Sequence, residues 1–352
     1  MSEATFVYGS ELLGDGALTR HNIIIGASMS VLATLGVIFG SVNLYYIRKV
    51  KIFHNAFGWL WASRTVGEII VEITHATYNG PVTALYVDPT LLLHQGFRQP
   101  TQIFPLLGTA QYAIFLVGTV SSCGTHAFLA VNRNIAVFSP LRYGDTFSKK
   151  RSYAIIAVTW AIGFVVPPLY FVFPCNLVGY SPQQYSYIFV KCFAGQERDF
   201  SYFGTVANCM CLVLCICTTF VDLATLARIV YLRVILKKHK DDMTFERSVR
   251  FFKQNIIMVF SLVVVVHQNY RNLPKDQIRS GHKILNLTEI FSFIILHIVN
   301  PLALILFNPE IRGRLCGKIS EEDESPQNSA PRVGPLPLVT SSIQASTNQE
   351  QQ

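Results

Sequence analysis

The chain has 352 residues, of which 51% are hydrophobic and 14% charged, and its formal net charge is +8. Ordinary soluble domains carry about 25% charged residues, so the composition points to a membrane protein and away from a soluble enzyme. The basic residues lie mostly in short loops between apolar runs, not clustered beside exposed aromatics, which argues against nucleic-acid binding.

Residues 1–22 are polar and slightly acidic, with neither the basic n-region nor the short apolar core of a cleaved leader. They are expected to form an extracellular N-terminus. A membrane-spanning helix needs about 20 apolar residues, because ~30 Å of hydrocarbon is crossed at 1.5 Å per residue. Seven segments meet or approach that length: 23–47, 56–78, 104–131, 153–173, 202–234, 249–266 and 284–307. The second is the most polar, with Arg64, Glu68, Glu72 and His75 inside it. The expected fold is all-α, a seven-transmembrane helix bundle over residues 23–307. A short cytoplasmic amphipathic eighth helix is expected over 308–317. Residues 318–352 are rich in Ser, Pro, Gln, Asn and Glu, cannot bury a core, and read as a disordered cytoplasmic tail.

Basic residues mark the cytoplasmic loops. Arg48, Lys49 and Lys51 follow the first segment, and Arg142, Lys149, Lys150 and Arg151 the third. Six more lie after the fifth, from Arg233 to Arg250, while Arg312, Arg314 and Lys318 follow the seventh. The loop holding Arg271, Lys275, Arg279 and Lys283 runs against the pattern. The balance still places the N-terminus outside and the C-terminus in the cytoplasm.

The third segment ends in "AVNRNIAVFSPLRYGD". A lone Arg133 at the membrane interface can snorkel its charge into water. Its surroundings carry more. Arg133, Ala136, Val137, Pro140, Leu141, Arg142 and Tyr143 stand in the register of Asp-Arg-Tyr-x-Ala-Val-x-x-Pro-Leu-Arg-Tyr. Asn300-Pro301-Leu302-Ala303-Leu304 parallels Asn-Pro-x-x-Tyr, and Asn308, Pro309, Glu310, Ile311 and Arg312 continue it. Trp160 lies in the fourth segment. These anchors resemble the rhodopsin-like seven-transmembrane G-protein-coupled receptors. Phe57-Gly58-x-Leu60, together with Asn132-Arg133-Asn134, makes the chain most similar to nematode serpentine chemoreceptors of receptor class X. Asn132 replaces the usual acid, Asn134 the tyrosine after the arginine, and Leu304 the tyrosine of the seventh segment. Gly108 falls near where a disulfide cysteine usually sits, and the sixth segment lacks the usual tryptophan and proline.

The resemblance implies a receptor in which Arg133 is restrained at rest and freed to meet a heterotrimeric G protein. Asn132, Pro140, Tyr143, Asn300 and Pro301 would belong to the same switch. Glu246, just before the sixth segment, is the nearest acid to restrain Arg133 in place of the missing neighbour. The expected address is the plasma membrane, in a sensory cilium for a chemosensory receptor, with membrane lipid around it.

Ionisable residues inside a bilayer are functional hints. Arg64 and Glu68 are four apart and can pair on one helix face. In many rhodopsin-like receptors an aspartate about here binds sodium, and Arg64 takes its place. Asp222 and Arg228, near the inner end of the fifth segment, read as a solvated, snorkelling helix end. Rising five turns from Arg133, ~27 Å, reaches Phe115, with Thr119 one turn lower. His267, Gln268 and Ser292 fall at similar depth. A largely apolar pocket with these few polar groups suits a small extracellular ligand. No acid occurs near Phe115 in the sequence to hold an amine.

Of the eight cysteines, Cys175 and Cys192 share one outer loop, facing an oxidising compartment, and are expected to pair. Cys209, Cys211, Cys215 and Cys217 lack nearby histidine or carboxylate ligands and read as packing residues, so no metal and no cofactor are expected. Cys316, just past the start of the eighth helix, is a lipidation candidate.

The reading is a chemosensory receptor with no catalytic activity. Alternatives are a peptide or other small-transmitter receptor and, further off, a seven-helix ligand-gated channel of opposite orientation. A transporter or membrane enzyme is disfavoured. The chain shows no inverted repeat, no His-Glu-x-x-His, no phosphate-binding glycine loop and no triad.

Overall fold

The computed structural model describes Leu12 and residues 19–85, 107–193, 195–198, 200–234 and 278–315. Within them the chain forms α1 (Arg20–Lys49), α2 (Ala56–Thr74), a π-helical turn (His75–Asn79) and α3 (Gly80–Leu85). Next come α4 (Leu107–Phe138), α5 (Lys149–Val172), strands β1 (Val178–Ser181) and β2 (Ser186–Phe189), α6 (Tyr202–Val234), α7 (Ile278–Phe307) and α8 (Pro309–Leu315). Five helices are long and apolar enough to cross a membrane: Arg20–Lys49, Leu107–Phe138, Lys149–Val172, Tyr202–Leu232 and Asn286–Leu306. Segment 249–266 lies outside the described residues.

The starts of these helices are written locally. Thr19 accepts from the amide of Asn22 at 3.1 Å and Asn55 from that of Gly58 at 3.0 Å, so each caps a helix that would otherwise leave its first amides unmatched. Gly58 is obligatory, since a Cβ there would collide with the carbonyl oxygen of Phe53. That contact explains the Phe57-Gly58 pair read in the sequence. Val31, Ile38, Val158, Phe164, Met210 and Phe220 are exposed on the outside of the bundle. In water such faces would be costly, whereas in hydrocarbon they are the wetted surface.

α4 is the central helix, packed against α2, α5, α6 and β1. Small residues set its approach to α2. A Cβ on Gly67 would lie 2.8 Å from the Gly118 carbonyl oxygen, and one on Gly118 would lie 2.7 Å from that of Gly67. Helices in lipid gain no hydrophobic free energy from meeting, so close backbone contact supplies dispersion instead. Trp160 of α5 donates its indole N–H to Ser63 Oγ at 2.9 Å and so ties α5 to α2.

Two segment ends need correction. The third segment was expected to end at residue 131, with Arg133 at the helix end. α4 instead runs on to Phe138, so Arg133 is inside the helix. The second segment was expected to stop at residue 78. The helical path continues to Leu85 through the π turn. The fold is mostly helical, as expected, and the loop between α5 and α6 adds an antiparallel hairpin of β1 and β2, Val178 opposite Phe189 and Ser181 opposite Ser186.

The hairpin closes one end of the bundle. Tyr185 donates to Asn22 Oδ1 at 2.6 Å, Thr83 and Tyr180 share a hydrogen bond of 2.8 Å, and Asn286 donates to the Gln184 carbonyl at 2.9 Å. Cys175 and Cys192 bracket the hairpin at disulfide distance, their Cα atoms 5.5 Å apart. The other end carries α8, whose buried Ile311 packs with Val50, Phe53 and Leu304.

Cross-linking a loop of this length removes about 3 kcal/mol of unfolded-chain entropy in the loop-closure model. Replacing Cys175 and Cys192 by Ser should therefore lower the melting temperature of detergent-purified protein. Non-reducing peptide mass spectrometry should find the two linked, and two free thiols would contradict the pairing.

Candidate functional site

α2 carries a polar stripe: Arg64, Glu68, Glu72, His75 and Asn79 recur every three or four residues. That spacing keeps one helical face, and the face is turned inward. Arg64 is 2% exposed, Glu68 4%, Glu72 1%, and His75 and Asn79 are fully buried. Each level of the stripe meets a partner. Arg64 Nε donates to Glu68 Oε1 at 2.8 Å, as the sequence spacing foresaw. Its Nη1 donates to His126 Nδ1 on α4, also at 2.8 Å, and the guanidinium lies over the Trp61 ring. Asn300 of α7 donates to the same Glu68 oxygen at 2.8 Å, and Pro301 is buried beside it. One turn higher, Glu72 Oε1 is 3.2 Å from His297 Nδ1 of α7.

The top of the stripe is aromatic. Phe115 of α4 has Tyr187 of the hairpin at 4.6 Å between ring centroids, His75 at 5.6 Å and Phe293 of α7 at 5.9 Å. The Tyr187 hydroxyl accepts from Asn79 Nδ2 at 2.8 Å and from Gln111 Nε2 at 3.1 Å. Burial pushes the Tyr187 and Tyr180 phenols well above their ordinary pKa, so both remain neutral hydrogen-bonding groups. Of the expected pocket residues, Phe115 is central to this cluster. Ser292 is half-buried next to Phe293. The Thr119 hydroxyl is spent on its own helix, donating to the Phe115 carbonyl at 3.0 Å. His267 and Gln268 lie outside the described residues, as do Glu246 and Cys316.

At the α8 end, Arg133 donates through Nη2 to both oxygens of Asp222, at 2.8 and 3.0 Å. Asp222 is 3% exposed. The expectation of a solvated, snorkelling end is therefore wrong for Asp222. One helix read alone does not reveal a partner 89 positions away. Beside this pair Asn134 donates to Thr225 Oγ1 at 3.0 Å, and Asn132 donates to the Tyr143 hydroxyl at 3.2 Å. The asparagines that replace the expected acid and tyrosine thus tie α4 to α6 and to the following loop. In that loop Pro140 is exposed and Leu141 is 97% exposed.

The bundle thus carries an ionic stripe through its apolar interior, with an arginine held at one end and an aromatic cluster under the hairpin at the other. Among the described residues no His, Cys, Asp or Glu group could hold a metal ion. Residues 31–308 match the family model described as serpentine type 7TM GPCR chemoreceptor Srx.

The chain belongs to the Srx chemoreceptor family. It is similar to serpentine receptor class X-43 of Caenorhabditis elegans, 22% identical over 329 residues, which covers 88% of each chain. It is also similar to human olfactory receptor 10AD1, 23% identical over 156 residues, covering 44% of this chain and 49% of the relative. With its apolar helices, the Srx family places this chain among multi-pass membrane receptors.

In this Srx receptor the buried pair on α2 should govern folding. Arg64→Ala leaves Glu68 without its guanidinium, and breaking a buried pair from one side costs roughly 3–5 kcal/mol. Replacing both, Arg64→Leu with Glu68→Leu, should recover much of that loss in thermal unfolding of the detergent-purified receptor. A double variant no more stable than Arg64→Ala would contradict the pairing.

Proposed function

We propose that this Srx receptor is a chemosensory G-protein-coupled receptor, oriented with the hairpin end outside the cell and the α8 end in the cytoplasm. The basic loops after α1, α4 and α7 support that orientation. The likeness to a human olfactory receptor supports a chemosensory role. Its ligand is a small extracellular molecule that enters beneath the hairpin and meets Phe115 and its ring partners. The seven-segment count, the plasma-membrane and ciliary address and the G-protein partner belong to the same reading.

One observation carries the coupling half: Arg133 Nη2 donates to both oxygens of Asp222, at 2.8 and 3.0 Å, at the buried junction of α4 and α6. Arg133 cannot present its guanidinium to a partner while both Asp222 oxygens hold it. At this end Leu141 is almost wholly exposed, a solvated apolar side chain that a docking protein can cover. In the resting receptor Asp222 restrains Arg133. Ligand binding at the hairpin end shifts the bundle toward the state in which Arg133 is free. No step makes or breaks a covalent bond, so the receptor is read as non-catalytic.

Asp222→Asn keeps the shape of the contact and removes its charge. A restraint worth ~1–3 kcal/mol shifts a two-state equilibrium by about 5–150-fold, so ligand-independent nucleotide exchange on a G protein should rise within that range. Arg133→Ala should leave surface expression intact and abolish exchange. Full exchange from a well-expressed Arg133→Ala receptor would remove the proposal.

A further inference from the structure

Among the described residues the stripe on α2 is one permanent cation short. Its formal charges are Arg64, Glu68 and Glu72, one cation against two carboxylates. Two of the histidines around it do not make up the difference. His126 Nδ1 accepts from Arg64, and His75 Nδ1 pairs with the amide nitrogen of Asn79 at 2.9 Å, so both rings are used as neutral acceptors. Glu68 is matched by Arg64 and Asn300. The carboxylate that meets no permanent cation is therefore that of Glu72. Among the described residues neither of its oxygens accepts a hydrogen bond, and the His297 ring stands 3.2 Å away, within ion-pair reach when that ring is protonated. Room for this carboxylate is built in: a Cβ on Gly36 of α1 would fall 3.2 Å from Glu72 Oε2.

Above Glu72 further buried polar atoms find no partner among the described residues: His75 Nε2, Asn79 Oδ1 and Gln111 Oε1. An unmatched buried polar group is costly, so a set of them close together calls for an external partner. His75 and Asn79 delimit the π turn, a local widening of the helix that is frequent at functional sites. Beside them the rings of Tyr187, Phe115 and Phe293 touch in series, and Phe293 is 4.4 Å from the His297 ring that meets Glu72. From Glu72 to Asn79 is seven residues, about 10 Å along the helix.

We propose that the ligand of this receptor is an arylalkyl amine: its ammonium group pairs with Glu72, its ring lies among Phe115, Phe293 and Tyr187, and any polar substituent on the ring faces Asn79 and Gln111. The absence of an acid near Phe115 in the sequence argued against an amine. The structure supplies the acid from α2, one turn below His75, whose ring is edge-on to Phe115. The inference rests on the reading of the hairpin end as the ligand side. An ammonium fits for two reasons. It brings the missing charge, and aromatic faces attract cations.

The test is ligand-dependent thermal stabilisation of the full-length receptor in detergent. The probes are 2-phenylethylamine and 2-phenylethanol, which differ in little but the charge. The amine should raise the melting temperature at concentrations at least tenfold below those the alcohol needs. Glu72→Gln, which keeps the shape of the side chain, should erase the preference, while Glu72→Asp should retain part of it. Equal response to the two probes, or no response to either in the unmodified receptor, overturns the proposal without reliance on any variant. So does a Glu72→Gln receptor that still prefers the amine. Stabilisation by mild acid with no effect of the amine would identify the missing charge as a proton and equally overturn it. Failure here leaves ligand-free nucleotide exchange by Asp222→Asn unaffected, so the ligand class and the coupling reading are tested apart.

Discussion

A charge inside hydrocarbon has to be matched where it stands. Moving a side-chain ion out of water costs several kcal/mol even after relaxation, and no bulk solvent returns that inside a helix bundle. Arg64, with Glu68 and Asn300 on one side and His126 on the other, is where this chain meets the constraint most fully. The rest of the bundle is arranged around that match. α2 must turn its polar face inward, α4 must bring His126 against it, and α7 must bring Asn300 and His297. The close contact of Gly67 and Gly118 brings α2 and α4 near enough for short side chains to meet.

The same constraint links the two ends of the molecule. The stripe runs from Tyr187 and Asn79 under the hairpin, through Glu72 and Glu68, to Arg64 and His126. Arg133 lies seven residues below His126 on the same helix, with Asp222 as its counter-charge. The levels join α2 to the hairpin, to α7 and to α4, and α4 to α6. On the proposed reading, a ligand that alters the charge balance at one end would act on pairs whose partners cannot separate without exposing an ion to hydrocarbon. Coupling of this kind needs no moving rod. It needs neighbouring pairs that each have two arrangements.

Much of this was legible in the sequence because bilayer thickness and helical rise fix segment length independently of packing. The helices α1, α5, α6 and α7 fall where apolar length places them. Apolarity misjudged α4, whose apolar run stops near Arg133 while the helix continues to Phe138, held by contacts to Asp222 and Thr225 that lie far away in sequence. Asp222 was misread for the same reason. The Arg64–Glu68 pair was readable because both partners sit on one helix, whereas His126, His297 and Asn300 could join it only through the fold. The hairpin gave no strand signal, since four-residue strands are fixed by closure through Cys175 and Cys192 and by Tyr180 and Tyr185 anchoring onto α1 and α3. Tyr187, which joins the aromatic cluster from the hairpin, was invisible for that reason.

The central claim is that α4 and α6 must part at Arg133 and Asp222 for the receptor to act. Asn134 and Thr225 touch across the same junction at 3.0 Å. Cysteines placed there, Asn134→Cys with Thr225→Cys, can be joined by a short bis-methanethiosulfonate and released by reductant. Nucleotide exchange on a G protein, measured in nanodiscs with the unsubstituted receptor treated in parallel, then reads the junction directly. The account predicts that exchange stops when the link is made and returns when it is reduced. Exchange at the full rate through a quantitatively linked junction would contradict it.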